Sequence, residues 1–191
     1  IYKYKVAVKR KNVTKKLKND KYIKKISKDM ALYVDAQEHA TRKEVLKGYN
    51  ALSIAAIVAY QHGKYQFTAK EIQAWTYKLF GIKPDTSCIP DSDSPKCRYI
   101  GKRYEDEEFE KKPFCYRGGD WGETYPGYKI KKVLKVKKSV YDVEIINLYG
   151  EYGANGKGTN FESVGKTTIR IVKNSKSSYK YKVKSLKYNI N

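Results

Sequence analysis

The chain is short of arginine, methionine, histidine and long apolar runs, and each shortage removes a class of protein. No apolar stretch approaches the roughly 18 residues that span a bilayer as a helix. The longest, 51–60, is ten residues including Ser53, so it reads as an enclosed helix. Two histidines and three cysteines, with no Cys-x-x-Cys pair, leave little from which to build a zinc site. Only six of the 41 basic residues are Arg. Specific base readout leans on the bidentate fork of Arg. The lysine surplus therefore points to general attraction for polyanions. All five prolines fall within 82–127, which leaves the flanking regions free to form unbroken helices and strands.

What is abundant is charge and tyrosine. The 191 residues carry a formal net charge of +21 and 19 tyrosines. That length builds one domain with a sizeable core. The charge predicts affinity for nucleic acid, anionic lipid or anionic wall polymers. A composition rich in Tyr and Lys and poor in Arg and Met is common in secreted bacterial proteins. The chain begins at Ile1, so a processed or truncated chain is expected, with any signal peptide or anchor upstream.

Residues 1–28 hold 12 basic residues and one acid, Asp20. This segment is expected to be a basic arm or a first helix, with Val13, Leu17, Ile23, Ile26 and Met30 as its stripe. Residues 29–191 are expected to form a single domain. Within it, 29–81 is helical. Ala36, Ala40, Val45, Tyr49, Leu52, Ala56 and Ala59 fit one face, and a capping-box spelling at Thr41–Glu44 marks a second helix start or lies within one long helix. Gly63 ends this segment. Thr68–Gly81 is the best-specified helix. Thr68 and Glu71 spell a capping box, Gly81 suits a left-handed stop, and Ile72, Trp75, Leu79 and Phe80 share a stripe.

Residues 82–127 collect the prolines and eight acids between 85 and 110. RYIGKRY and FEKKPFCYR are expected to pair as a hairpin centred near Asp106, with Pro113 keeping the second strand at an edge. From Tyr128 the period becomes two. Tyr128, Ile130, Leu134 and Val136 share one face, opposite Lys129, Lys131, Lys135 and Lys137. Three more half-buried strands surround 141–145, 169–171 and 179–183. The stretch 150–165, with five glycines, reads as a mobile loop. Helices followed by strands give an α+β fold, with the N-terminal helices on one face of a curved antiparallel sheet and the Thr68 helix as its lid.

Thr68–Gly81, Arg98–Tyr116 and Tyr125–Tyr188 together resemble the small extracytoplasmic α+β domains of Gram-positive lipoproteins, of NTF2-like or cystatin-like roll type. The shared features are a capped helix ending in Leu-Phe-Gly, a Tyr-rich hairpin, and a Tyr-Pro-x-Tyr entry to a meander. The resemblance implies a secreted or tethered domain with a pocket between helices and sheet. It transfers no catalytic residue.

Several spellings fail on chemistry. Gly165-Lys166-Thr167 ends like a phosphate-binding loop, but Asn160 stands where the first Gly belongs and the following TTIRIVK reads as a strand. Asp91-Ser92-Asp93 opens like a calcium loop, but Lys96 and Lys102 occupy its Gly and Glu positions. No cofactor is expected, and no catalytic residue is assigned. The cysteines favour one disulfide and an extracytoplasmic site. The short loop CIPDSDSPKC favours Cys88–Cys97; the alternative is Cys97–Cys115 across the hairpin. Trp121, Tyr125, Asp120, Glu123 and Tyr116 gather rings and carboxylates into a candidate ligand pocket. Lys129, Lys131 and Lys135, with Lys180, Lys182 and Lys184, form a candidate polyanion face. The expected function is a non-enzymatic exported or membrane-tethered module of a Gram-positive cell surface. The alternatives are a polyanion binder that uses the basic arm and sheet, and an enzyme working in the helix–sheet pocket. Anionic membrane and cell-wall polymers are the candidate partners, with nucleic acid as a third.

Overall fold

The computed structural model describes residues 10–37, 40–91, 97–101, 112–116, 124–153 and 156–190. Among them, a six-stranded antiparallel sheet carries a helical layer on one face, which makes the fold α+β. The sheet is built from β1 (Lys11–Asn12), β2 (Thr41–Lys43), β6 (Thr124–Lys137), β7 (Val140–Tyr152), β8 (Gly158–Lys173) and β9 (Tyr181–Ile190). Its strand order is β1-β6-β7-β8-β9-β2.

After the single turn α1 (Thr14–Leu17) comes α2 (Lys21–Asp35). Asp20 caps α2 by accepting from the backbone N–H groups of Tyr22 and Ile23. The helix lies across strands β6 to β9. Its buried face includes Ile23, Ile26, Met30 and Val34, the continuation of the expected stripe. Position 28, where the basic arm was expected to end, lies inside this helix.

The single long helix considered for 29–61 does not form. The chain leaves α2, adds β2 to the sheet edge, and starts again as α3 (Gly48–Gln61). Thr41 and Glu44 do not cap a helix. Thr41 sits in the edge strand, and Glu44 turns inward to a buried site. Val45 is 54% exposed instead of lining a core face. Helix α3 is apolar nearly all round, and Leu52, Ile54 and Ala55 to Ala59 are buried, as expected of a helix enclosed on every side.

Helix α4 (Ala69–Phe80) has the expected capping box, with the Thr68 hydroxyl accepting from Glu71 N–H and the Glu71 carboxylate accepting from Thr68 N–H. Gly81 closes it at φ 69°. Its position differs from expectation. It packs on α3 and meets the large sheet mainly at β9, whereas α2 lies against β6, β7, β8 and β9 and is the helix that covers the sheet. Trp75 is half-buried and stacks on His62 rather than filling the interior.

A three-stranded sheet joins β3 (Gln66–Phe67), β5 (Phe114–Cys115) and β4 (Arg98–Tyr99) in the order β3-β5-β4. Here the hairpin expectation fails: β4 and β5 run parallel. Pro113 does not restrict β5 to an edge. It precedes the strand, and its carbonyl accepts from Arg98 N–H, so no donor is lost from the ladder. The disulfide joins Cys97 to Cys115 over a Cα–Cα distance of 5.9 Å, and Cys88 is a free, exposed thiol. The local Cys88–Cys97 pairing is thus corrected. Cys88 lies in a 3-10 turn, Thr86–Cys88, with its thiol against the Asp85 carbonyl, while the β4–β5 ladder, which pairs Tyr99 with Cys115, brings Cys97 just ahead of β4 within reach of Cys115.

The expected mobile loop at 150–165 is mostly strand, since β7 runs to Tyr152 and β8 begins at Gly158. A bulge between Ile130 and Lys132 also changes the inward set of β6. Val133 takes the buried position after Ile130, and Leu134 moves to the opposite face beside Asp142. One extra residue inverts the side chains that follow it, up to the next register shift between Lys135 and Lys137.

Candidate functional site

The expected ligand pocket is not brought together. Trp121, Asp120 and Glu123 lie outside the described residues. Tyr116 is buried edge-on against Tyr60, next to Gly101. Tyr125 lies on the large sheet, opposite Gly150.

The expected lysine rows also separate. Lys129 faces away from the helices, opposite Ile146. Lys131 occupies the bulge, and Lys135 shares the helix-side face with Tyr141. Lys180 sits in the turn before β9 at φ 55°. Lys182 lies against Gly81 at the end of α4. Lys184 falls in the register shift between β8 and β9, between the Val183 and Ser185 pairings.

Register assembles a different set. Opposing residues of antiparallel strands share a face, so the outer face reads in rows. One row is Lys129, Ile146, Lys166, Asn189 and Thr41; the next is Lys132, Glu144, Thr168, Lys187 and Lys43. All five lysines are exposed. Glu144 is the carboxylate in these rows, opposite Lys132; among the described residues none of the five lysines forms an ion pair, and Lys187 stands directly opposite Lys43. In the third row Asp142 is fully engaged. It accepts a bidentate pair from Arg170 at 2.7 and 2.9 Å and lies 3.4 Å from Arg10. The Asp142 carboxylate is therefore already bound, and its hydrogen bonds and charge hold the Arg170 guanidinium above its ordinary pKa.

Beyond the Lys129 row the same face becomes aromatic. Tyr125 packs edge-on to Tyr152 and Phe161 at ring-centre distances of 5.4 and 6.2 Å. Tyr152 is 57% exposed and Phe161 44%. Three glycines make the space. A β-carbon on Gly127, Gly150 or Gly158 would fall within 2.9 Å of a Phe161 ring atom. A hollow lined by Ser163, Gly165, Lys166 and Asn189 lies between this platform and the lysines.

Under the helices, buried carboxylates are satisfied by tyrosine. Glu44 accepts from Tyr33 at 2.8 Å, Tyr188 at 2.7 Å and Asn50 at 3.0 Å. Burial pushes its carboxyl up, but these bonds and Arg42 more than offset that and hold it below its ordinary value. Asp29 is 1% exposed and accepts from Tyr179 and, at 3.0 Å, contacts His62. Burial and the Asp29 charge push the Tyr179 phenol far up. Lys78 lies 3.8 Å over the Trp75 ring that stacks on His62. Asp35 accepts from Tyr149, and burial raises the Asp35 carboxyl to about 6.

Among the described residues no group of three or more His, Cys, Asp or Glu is placed to hold a metal ion, and no described helix is long and apolar enough to cross a membrane. Comparison with protein-family models, curated proteins and solved structures finds no match.

Proposed function

We propose that this protein is a non-enzymatic, exported binding module whose outer sheet face holds an anionic polymer of a cell surface. One observation carries the reading. Five exposed lysines share that face with a single carboxylate in their two rows, Glu144 opposite Lys132, and two of them, Lys187 and Lys43, oppose each other directly. Like charges paired across strands cost stability. A polyanion laid over the face would relieve that repulsion and release its own counterions. Neighbouring strands are about 4.8 Å apart, so Lys129 and Lys166, two strands apart in one row, would meet a flexible polyphosphate at more than one charge.

The Cys97–Cys115 disulfide is in keeping with an oxidising, extracytoplasmic compartment. The likeness to NTF2-like or cystatin-like lipoprotein domains of Gram-positive cells belongs to the same proposal, and the helix-then-sheet order supports it. Among the described residues, the Asp29–His62 contact is the arrangement that most suggests catalysis. Both Asp29 oxygens are already engaged, which suits a structural network better.

The test is binding of a fluorescent polyphosphate by anisotropy across a salt series. Neutralising about five phosphates on a flexible chain gives a log–log slope near −3.5. Absent or salt-independent binding contradicts the proposal.

A further inference from the structure

Net charge accounts for attraction to a polyanion, but not for the hollow at the end of the first lysine row, lined by Ser163, Gly165, Lys166 and Asn189. We infer that this hollow is a phosphate subsite, which seats one tetrahedral phosphate group of the polymer. That the group belongs to a polymer rests on the proposed function; that a phosphate group seats here does not.

The first observation is how the strand is bent to make the hollow. Ser163 and Lys166 are an odd number of residues apart, so a regular strand would turn them to opposite faces. The pairing of β7 with β8 passes from Asn147–Gly165 to Leu148–Ser163, which leaves Val164 as one extra residue. Val164 packs inward against the core, and the bulge returns Ser163 to the outer face with Lys166. Re-aiming a side chain at a site is a recurrent use of such bulges. Gly165 completes the shape. A β-carbon there would fall 2.2 Å from the Asn189 backbone oxygen, so the missing side chain is what lets β9 bring Asn189 this close.

The second observation is the chemistry of the lining. Lys166 supplies an ammonium and Ser163 a hydroxyl. Asn189 accepts from the Thr41 hydroxyl through its side-chain oxygen, which leaves its NH2 group for a ligand. Among the described residues, none of these three donor groups has a hydrogen-bond or ion partner. No carboxylate lines the hollow. Glu162, next to Ser163, pairs with Tyr149, whose phenol reaches Asp35 under the helices, so it lies on the other face of the sheet. Glu144 lies one row away, opposite Lys132. One cation and two neutral donors select an anion, and lysine serves phosphate as a point charge. The three side chains rise from the corners of a triangle, with Asn189 directly opposite Lys166 and Ser163 three residues back along β8. Donors so placed surround a tetrahedral oxyanion better than a planar carboxylate. A cavity of about 150 Å³ holds a benzene molecule; this hollow, at about 160 Å³, has room for one phosphate group.

The test is a titration with inorganic phosphate, followed by amide NMR shifts at constant ionic strength in a chloride background. Saturating shifts are expected, centred on Ser163 to Lys166 and on Asn189. Acetate at the same ionic strength is expected to leave those amides in place. Ser163→Ala/Asn189→Ala removes two donors and no charge. It is expected to weaken phosphate binding at least about fivefold, the scale of one net hydrogen bond. Thr168→Ala, a neutral change in the next row of the same face, is expected to leave it unchanged. Ser163 is exposed, so Ser163→Ala alone carries the test if the double variant misfolds, and circular dichroism checks both. Shifts spread over the lysines at large, equal shifts with acetate, or phosphate affinity unchanged in the donor variants overturns the inference. Polyphosphate is titrated beside phosphate. Binding of the polymer without a localised phosphate site removes the subsite and leaves the proposed function standing. A localised phosphate site without polymer binding does the reverse.

Discussion

At the scale of single residues, the high tyrosine content solves a burial problem. A carboxylate removed from water costs several kcal/mol unless it is hydrogen-bonded. Here Glu44 has Tyr33 and Tyr188, Asp29 has Tyr179, and Asp35 has Tyr149. Glu44→Ala would strand two buried phenols, and a loss of about 3 kcal/mol is expected by urea denaturation. Asp35 gives a pH signature. The unfolded chain releases this proton near 3.8 and the folded chain near 6. The fold therefore binds the proton more tightly in between, and stability falls as pH rises through that window and levels off above it. The fall is about 2 kcal/mol, allowing for partial exposure. Asp35→Asn should remove that slope in urea titrations from acid to neutral pH. None of these pairs was legible in the sequence. Thr41–Glu44 spelled a cap, and Glu44 meets Tyr188 across 144 residues. Long-range polar partners leave no local pattern to read.

At the scale of elements, local signals held where local physics decides. The capping box and glycine stop of α4 appear as spelled, and Thr68→Ala should cost about 1 kcal/mol in thermal unfolding. Patterns depending on register did not hold. The Ile130/Lys132 bulge inverted the later half of β6. The glycine-rich stretch became ribbon because Gly150 and Gly158 make room for Phe161 and Gly165 for β9, which leaves Gly153 and Gly156 to the turn. The disulfide shows the same limit, since loop length favoured Cys88 while the parallel β4–β5 pairing, Tyr99 against Cys115, brought Cys97 within reach of Cys115. Replacing Cys97 and Cys115 by Ser should lower stability by about 3 kcal/mol. Cys88→Ser should change it by less than about 0.5 kcal/mol. Peptide mapping under non-reducing conditions would detect a Cys88–Cys97 link directly.

At the scale of the whole molecule, the α+β class followed from helices preceding strands, and the proposal of a polyanion surface followed from net charge. Which lysines form that surface did not. The alternation in the sequence grouped Lys129, Lys131 and Lys135, whereas cross-strand register groups Lys129, Lys132, Lys166, Lys187 and Lys43. The two sets make different predictions from the same +21 charge. The most direct measurement is the salt dependence of polyphosphate binding for the wild type, for Lys166→Gln/Lys187→Gln/Lys43→Gln, and for Lys131→Gln/Lys180→Gln/Lys184→Gln. Both triple variants lose the same charge. The first is expected to flatten the log–log slope by about 2 and the second to leave it near the wild-type value. Equal flattening in the two variants would contradict a defined binding face and leave only the general attraction of a basic protein.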